Sequence, residues 1–126
     1  MNSTKQTILV VDEDAGARDL LAEARRKEGY EVEAASNGTD AIARGRERRF
    51  DLVLTDFRMG PVDGIAVLRE FKQGSPDTSI VLLTAFGSME GAIEAIKQGA
   101  YDYLAKPFKK EEIKLFTGKH GLKAMF

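Results

Sequence analysis

The stretch Asp51-Leu52-Val53-Leu54-Thr55-Asp56 decides how this chain folds. A run this short and this apolar suits a strand buried on both faces, and an acid closing it is unusual. Three other segments repeat the arrangement. Ile8-Leu9-Val10-Val11 closes on Asp12-Glu13, Ile80-Val81-Leu82-Leu83 closes on the hydroxyl of Thr84, and Tyr101-Asp102-Tyr103-Leu104-Ala105 runs into Lys106-Pro107. If these are neighbouring parallel strands, their carboxyl ends bring three carboxylates, a hydroxyl and an ammonium to one edge. Such a set suits a divalent cation and a phosphoryl group.

Helix-period segments fill the gaps between the runs. Ala17, Leu20, Leu21 and Ala24 are spaced as one helical face, with the Arg and Glu residues between them turned the other way and Gly29 as the stop. Tyr30-Glu31-Val32-Glu33-Ala34 alternates with period two, as a half-exposed edge strand does. Asn37 suits the cap of a second helix running to about Arg48, whose apolar face of Ala41, Ile42 and Gly45 is weak. Asp63 caps a third helix with Ile65, Leu68 and Phe71 inward. Met89, Ala92, Ile93 and Ile96 carry a fourth, stopped by Gly99. A final helix starts at Glu111-Glu112-Ile113-Lys114-Leu115-Phe116, but Gly118 and Gly121 break it, and the residues beyond have no period. The alternation predicts an α/β fold: a doubly wound, five-stranded parallel sheet with helices on both faces.

Composition narrows the function classes. The chain has 126 residues, expected to form one domain over 1–126, with a core of about 6–116 and an atypical tail at 117–126. Twenty acidic and 19 basic residues leave a net charge of −1, without the basic excess of a nucleic-acid binder. There is no cysteine, hence no disulfide framework and no thiolate chemistry. The polar start lacks a signal-peptide core and no apolar run could span a bilayer, so a cytoplasmic location with no membrane partner is the expectation.

In open parallel sheets, ligands bind beyond the carboxyl ends of the strands where strand order reverses. With 2-1-3-4-5, an order borrowed from known doubly wound sheets and not given by the residues, that point falls between the strands ending in Asp12-Glu13 and Asp56. Crowded carboxylates repel one another, and a bound cation relieves the repulsion. Acids without His or Cys nearby point to Mg²⁺ rather than zinc. A carboxylate can also act as a nucleophile and take a phosphoryl group, with the metal, Lys106 and Thr84 sharing the oxygen charge. Each residue also has a plainer reading. Asp56 alone serves equally well as a helix cap. Asp12 and Glu13 fit a solvated turn, Thr84 is a common strand end and Lys106 a common surface residue. The combination at four strand ends favours the functional reading.

Together these motifs resemble the receiver domains of bacterial two-component response regulators, the flavodoxin-like, CheY-like fold. The matching pieces are Ile8 to Asp14, Asp51 to Met59, Asp63-Gly64, Leu83-Thr84-Ala85 and Lys106-Pro107-Phe108, covering about residues 6 to 116. The stretch from Thr84-Ala85-Phe86-Gly87-Ser88 to Gly99-Ala100-Tyr101-Asp102-Tyr103-Leu104 most resembles the receivers of nitrogen-regulation-type transcription activators. The resemblance implies that Asp56 accepts a phosphoryl group from a histidine kinase. It implies Mg²⁺ on Glu13, Asp56 and the main-chain carbonyl of Arg58, with Asp12 in support. It implies Thr84 and Lys106 on the phosphoryl oxygens, a cis Lys106-Pro107 bond, and Tyr103 as a switch aromatic that follows Thr84. It also implies a downstream effector domain or protein, transcriptional output through a domain outside this chain, homodimer formation, and no enzyme activity beyond the domain's own phosphorylation and dephosphorylation.

The chain departs from the family pattern in several places, and Ala105 stands where Pro or another small residue is frequent. Glu13 stands where Asp is usual, Gly60-Pro61 replaces Pro-Gly, and the final helix is broken. These departures leave room for a pseudo-receiver, an interaction module that works without phosphate. A metal-dependent phosphatase would want Asp where Arg58 stands. Gly118-Lys119-His120 lacks the rest of a phosphate-binding loop, and His120 is isolated, which reads as surface. The plainer reading of Tyr103 is an edge-strand aromatic covering apolar surface.

Overall fold

A computed structural model describes residues 6–57, 59–84 and 89–105. Among these residues, five strands alternate with four helices: β1 (Thr7–Val11), α1 (Ala15–Lys27), β2 (Glu31–Ala35), α2 (Gly38–Glu47), β3 (Leu52–Asp56), α3 (Gly64–Gly74), β4 (Ser79–Thr84), α4 (Met89–Lys97) and β5 (Asp102–Ala105). The expected final helix and tail, Glu111 to Phe126, lie outside the described residues.

All strand pairs are parallel, as the alternation predicts, and the sheet order is β2-β1-β3-β4-β5, as the resemblance implies. Because side chains alternate along a strand, each apolar run feeds two cores. Leu9, Val11, Val53, Ile80 and Leu82 pack on one face with Ala41 of α2, Val67, Leu68 and Phe71 of α3, and Ala95 of α4. Ile8, Val10, Leu52, Leu54, Val81 and Leu83 pack on the other with Leu21 and Ala22 of α1. This two-sided burial explains why the runs are continuously apolar rather than alternating.

Side-chain caps begin three helices. Asp14 accepts the Gly16 N–H, Asn37 the Asp40 N–H and Asp63 the Ala66 N–H, each meeting an otherwise orphaned donor. Gly29 and Gly99, past the ends of α1 and α4, take positive φ of 98° and 107°, a conformation that costs other residues more.

β2, an edge strand as its alternation predicts, carries Glu31 and Glu33 in a charge ladder. Glu31 pairs with Arg48 at 2.9 Å, and Glu33 with both Arg44 and Arg48, while Arg44 also holds Asp40 at 3.0 Å. Charges along an edge discourage pairing with a second sheet. Burial alone would raise the Glu33 carboxyl pKa, but hydrogen bonds from Arg44 and Arg48 together with the positive charges of both guanidinium groups outweigh it and hold the pKa below its ordinary value.

Two helices differ in phase from the spacing-based expectation. On α1 the buried residues are Leu21, Ala22 and Arg25, whereas Leu20 is 47% exposed. The basic residues do not all turn outward: Arg25 is buried and bonds Glu28, and Arg18 reaches back to the Asp12 carbonyl. A long basic side chain can lay its stem along the core while its head finds a partner. On α4, Ala95 is fully buried, while Ile93 and Ile96 are about half exposed. Spacing sets a helix's period, whereas the packing partner sets which side faces inward.

Candidate functional site

The register of β1 on β3 pairs Ile8 with Leu52 and ends with Val11 opposite Thr55. One step further, Asp12 and Asp56 stand at neighbouring strand ends. Both follow the parity of Val10 and Leu54, so strand geometry directs them to the same side of the sheet. Asp12 is almost fully buried at 1% exposure, and Asp56, the last residue of β3, is partly buried. Charged groups are rarely so buried without partners.

The turn after β1 is held by several bonds. Asp12 Oδ1 accepts the Asp14 N–H at 2.9 Å, the Asp12 N–H donates to the Ala35 carbonyl at 3.2 Å, and the Asp12 carbonyl accepts from Arg18 at 2.9 Å. The Asp12 carboxylate is therefore positioned by its own backbone turn, a habit of short acids.

The end of β3 is fixed by α3. The Phe57 N–H donates to Leu83, and the Gly64 N–H donates to the Phe57 carbonyl at 2.9 Å. A Cβ on Gly64 would lie 2.5 Å from the Asp56 carbonyl oxygen and 2.9 Å from Phe57 Cα. Glycine at the first position of α3 thus lets the helix start directly against the backbone carrying Asp56. The sequence shows Asp63-Gly64 as a cap and its neighbour; the close approach is visible only in three dimensions.

Glu13 is exposed, and its Oε2 accepts the Gly60 N–H at 2.9 Å, joining two turns 47 residues apart. No local pattern signals that bond. Met59 beside it is buried in the core under α2 and α3. Among the described residues, no three His, Cys, Asp or Glu side chains gather closely enough to hold a metal ion. Asp12 and Asp56 therefore share an edge, while Glu13 reaches over to the turn after β3. Among the described residues, the acids at this edge offer carboxylate oxygens, which fit a hard cation such as Mg²⁺ and not a softer metal.

Thr84 ends β4, and its backbone pairs with Ala105, the residue before Lys106. Lys106, the Lys106-Pro107 bond and the Arg58 carbonyl lie outside the described residues, as does the isolated His120. Tyr103 pairs with Leu82 in register and is partly buried against the α2–α4 core. At the opposite edge of the sheet, a groove of about 380 Å³ runs between the carboxyl ends of α2 and α3, crossed by the Arg46–Glu70 ion pair. It has no part in the acidic edge. No helix among the described residues is long and apolar enough to cross a membrane.

Comparison with known proteins agrees with this geometry. The family described as "Response regulator receiver domain" matches residues 8–116. The chain is 50% identical over 103 residues to the transcriptional regulatory protein ZraR of Salmonella typhimurium, covering 82% of this chain and 23% of that protein. It is 35% identical over 105 residues to the DNA-binding transcriptional regulator NtrC of Salmonella typhimurium, covering 83% of this chain and 22% of that one. The chain thus spans about a quarter of the length of these curated relatives. Among solved structures, the receiver domain of NtrX from Brucella abortus superposes with a TM-score of 0.84 at 36% identity, covering 90% of this chain and 96% of that one. Strand order, paired acids at the sheet's carboxyl edge and these similarities lead to one conclusion: the chain belongs to the response regulator receiver domain family of two-component signalling, and it is related to transcription regulators.

Proposed function

We propose that this domain takes a phosphoryl group from a histidine kinase onto Asp56, in a reaction that requires Mg²⁺, and passes the change to an output domain or partner protein. The observation that carries this reading is the register placing Asp56 beside the buried Asp12 at the carboxyl edge of the sheet. In the transfer, an Asp56 carboxylate oxygen attacks phosphorus, the bond from phosphorus to the kinase histidine nitrogen breaks, and that nitrogen keeps the electron pair. Asp12 and Asp56 would hold the cation, with the Arg58 carbonyl and, once free, Glu13. Bound there, the cation would neutralise charge on the phosphoryl oxygens.

Thr84 and Lys106 would bind those oxygens, and Tyr103 would follow Thr84 inward. The added charge is roughly one to two negative units. A full swing between two states needs about 5.5 kcal/mol of differential interaction, a scale that several charge-assisted hydrogen bonds reach. On this reading the domain is no enzyme toward outside substrates and catalyses only its own phosphorylation and dephosphorylation. Transcriptional output, a cytoplasmic location and homodimer formation belong to the same proposal.

A pseudo-receiver remains the second reading, favoured by the engagement of Glu13 with Gly60 rather than with the other two acids. Incubation with acetyl phosphate separates the two. The wild-type protein should gain a phosphoryl group, and Asp56→Asn or excess chelator should prevent it. Absence of labelling in the wild type favours the pseudo-receiver; labelling that survives Asp56→Asn refutes the acceptor assignment.

A further inference from the structure

We propose that Glu13 is a latch on the turn between β3 and α3, closed on Gly60 in the cation-free protein and opened when a divalent cation draws its carboxylate toward Asp12 and Asp56. The inference rests on the cation reading given above. Three observations support it.

The turn is pinned on either side of Gly60. Met59 is buried in the core, Asp63 caps α3, and the Val62 carbonyl lies so near Gly38 that a Cβ there would sit 2.3 Å from it. Between these anchors Gly60 is exposed, and its N–H goes to Glu13. Pro61, next along, has no N–H to offer, so Gly60 supplies the donor at this point of the turn. Finally, Asp12 and Asp56 already share an edge, yet no third acid joins them among the described residues. Glu13 is adjacent in sequence to Asp12 and its carboxylate is engaged elsewhere. A long side chain explains this: Glu has one more methylene than Asp with which to reach a second turn.

The latch links cation binding to the backbone that immediately follows Asp56. Opening it gives up one charge-assisted hydrogen bond, and the released turn carries Met59 and the start of α3. Cation affinity should therefore be weaker than the acids alone would allow, and the turn should loosen on binding.

The test is a MgCl₂ titration of the ¹⁵N-labelled 126-residue chain, followed by amide resonances and amide exchange. The Gly60 amide should shift with the same midpoint as those of Asp12 and Asp56, and its exchange should accelerate. Gly60→Pro removes the donor and should bind Mg²⁺ about two- to tenfold more tightly, the scale of one net hydrogen bond. Gly60→Ala keeps the N–H, and its Cβ would meet Glu13 only at an ordinary 3.5 Å, so it should behave as wild type. Should the proline variant not fold, Glu13→Asp serves instead: its Gly60 amide should exchange faster than wild type before any cation is added. A static Gly60 amide while Asp12 and Asp56 respond overturns the latch alone. No response at any residue overturns the cation reading as well.

Discussion

Replacing Gly64 with alanine probes the mechanical link between α3 and the acid at the end of β3. The new Cβ would stand 2.5 Å from the Asp56 carbonyl oxygen, 2.7 Å from Leu82 Cδ1 and 2.9 Å from Phe57 Cα. Two of those three atoms are backbone in and beside a central strand, so they cannot swing aside as a side-chain tip does. Restoring a carbon–oxygen contact of about 3.3 Å requires the helix start and the strand end to part by roughly 0.8 Å. Overpacking of this kind costs about 2–3 kcal/mol, and the lower entropy of an unfolded chain with alanine returns roughly 0.5–1 kcal/mol. A net loss of about 1–2.5 kcal/mol should lower Tm by roughly 4–12 °C in a domain of this size. Gly74→Ala is the control: nothing lies within 4 Å of its added Cβ, and it should be neutral or stabilising by up to about 0.5 kcal/mol. Thermal and urea unfolding of both variants measure the difference, and acetyl phosphate labelling should be slower in Gly64→Ala. If that variant melts within about 1 °C of wild type, a shift too small for the clash argued here, the close approach does not constrain the strand end.

Two other perturbations test the frame around the site. Thr78 is fully buried, and its hydroxyl donates to the Phe50 carbonyl at 2.6 Å while lying 2.7 Å from the Ser75 hydroxyl; Thr78→Val should cost about 1–3 kcal/mol in urea unfolding, and an unchanged midpoint would refute that bond's role. Glu33 has a folded-state pKa below its ordinary value, so its contribution is present above the unfolded pKa, near 4.5, and fades as pH falls through the depressed folded value. Wild type should therefore exceed Glu33→Gln by about 1 kcal/mol at pH 7, with the gap closing toward pH 3 and shrinking in high salt; a gap indifferent to pH would sink the argument.

The strand runs, the caps and the edge strand were legible because each is a local pattern. Leu52 to Thr55 reads as doubly buried from its composition alone. Asn37 and Asp63 announce helix starts, and the Glu-Val-Glu alternation of Glu31 to Glu33 announces an exposed edge. The acids at the strand ends were legible for the same reason. The faces of α1 and α4 were not. Ile93 and Ile96 have helical spacing but lie outward because Ala95 makes the close contact, and a helix's phase depends on which neighbour it meets.

From its residues alone, the chain determines its alternating elements, its parallel architecture and the acids that close its strands, since hydrophobic period and capping act over a few residues. Tertiary structure decides that Asp12 and Asp56 face the same side, that Gly64 touches the Asp56 backbone, and that Glu13 answers to Gly60. Those contacts join segments up to 47 residues apart. They depend on register and on the separation of packed backbones, which no short window of sequence encodes.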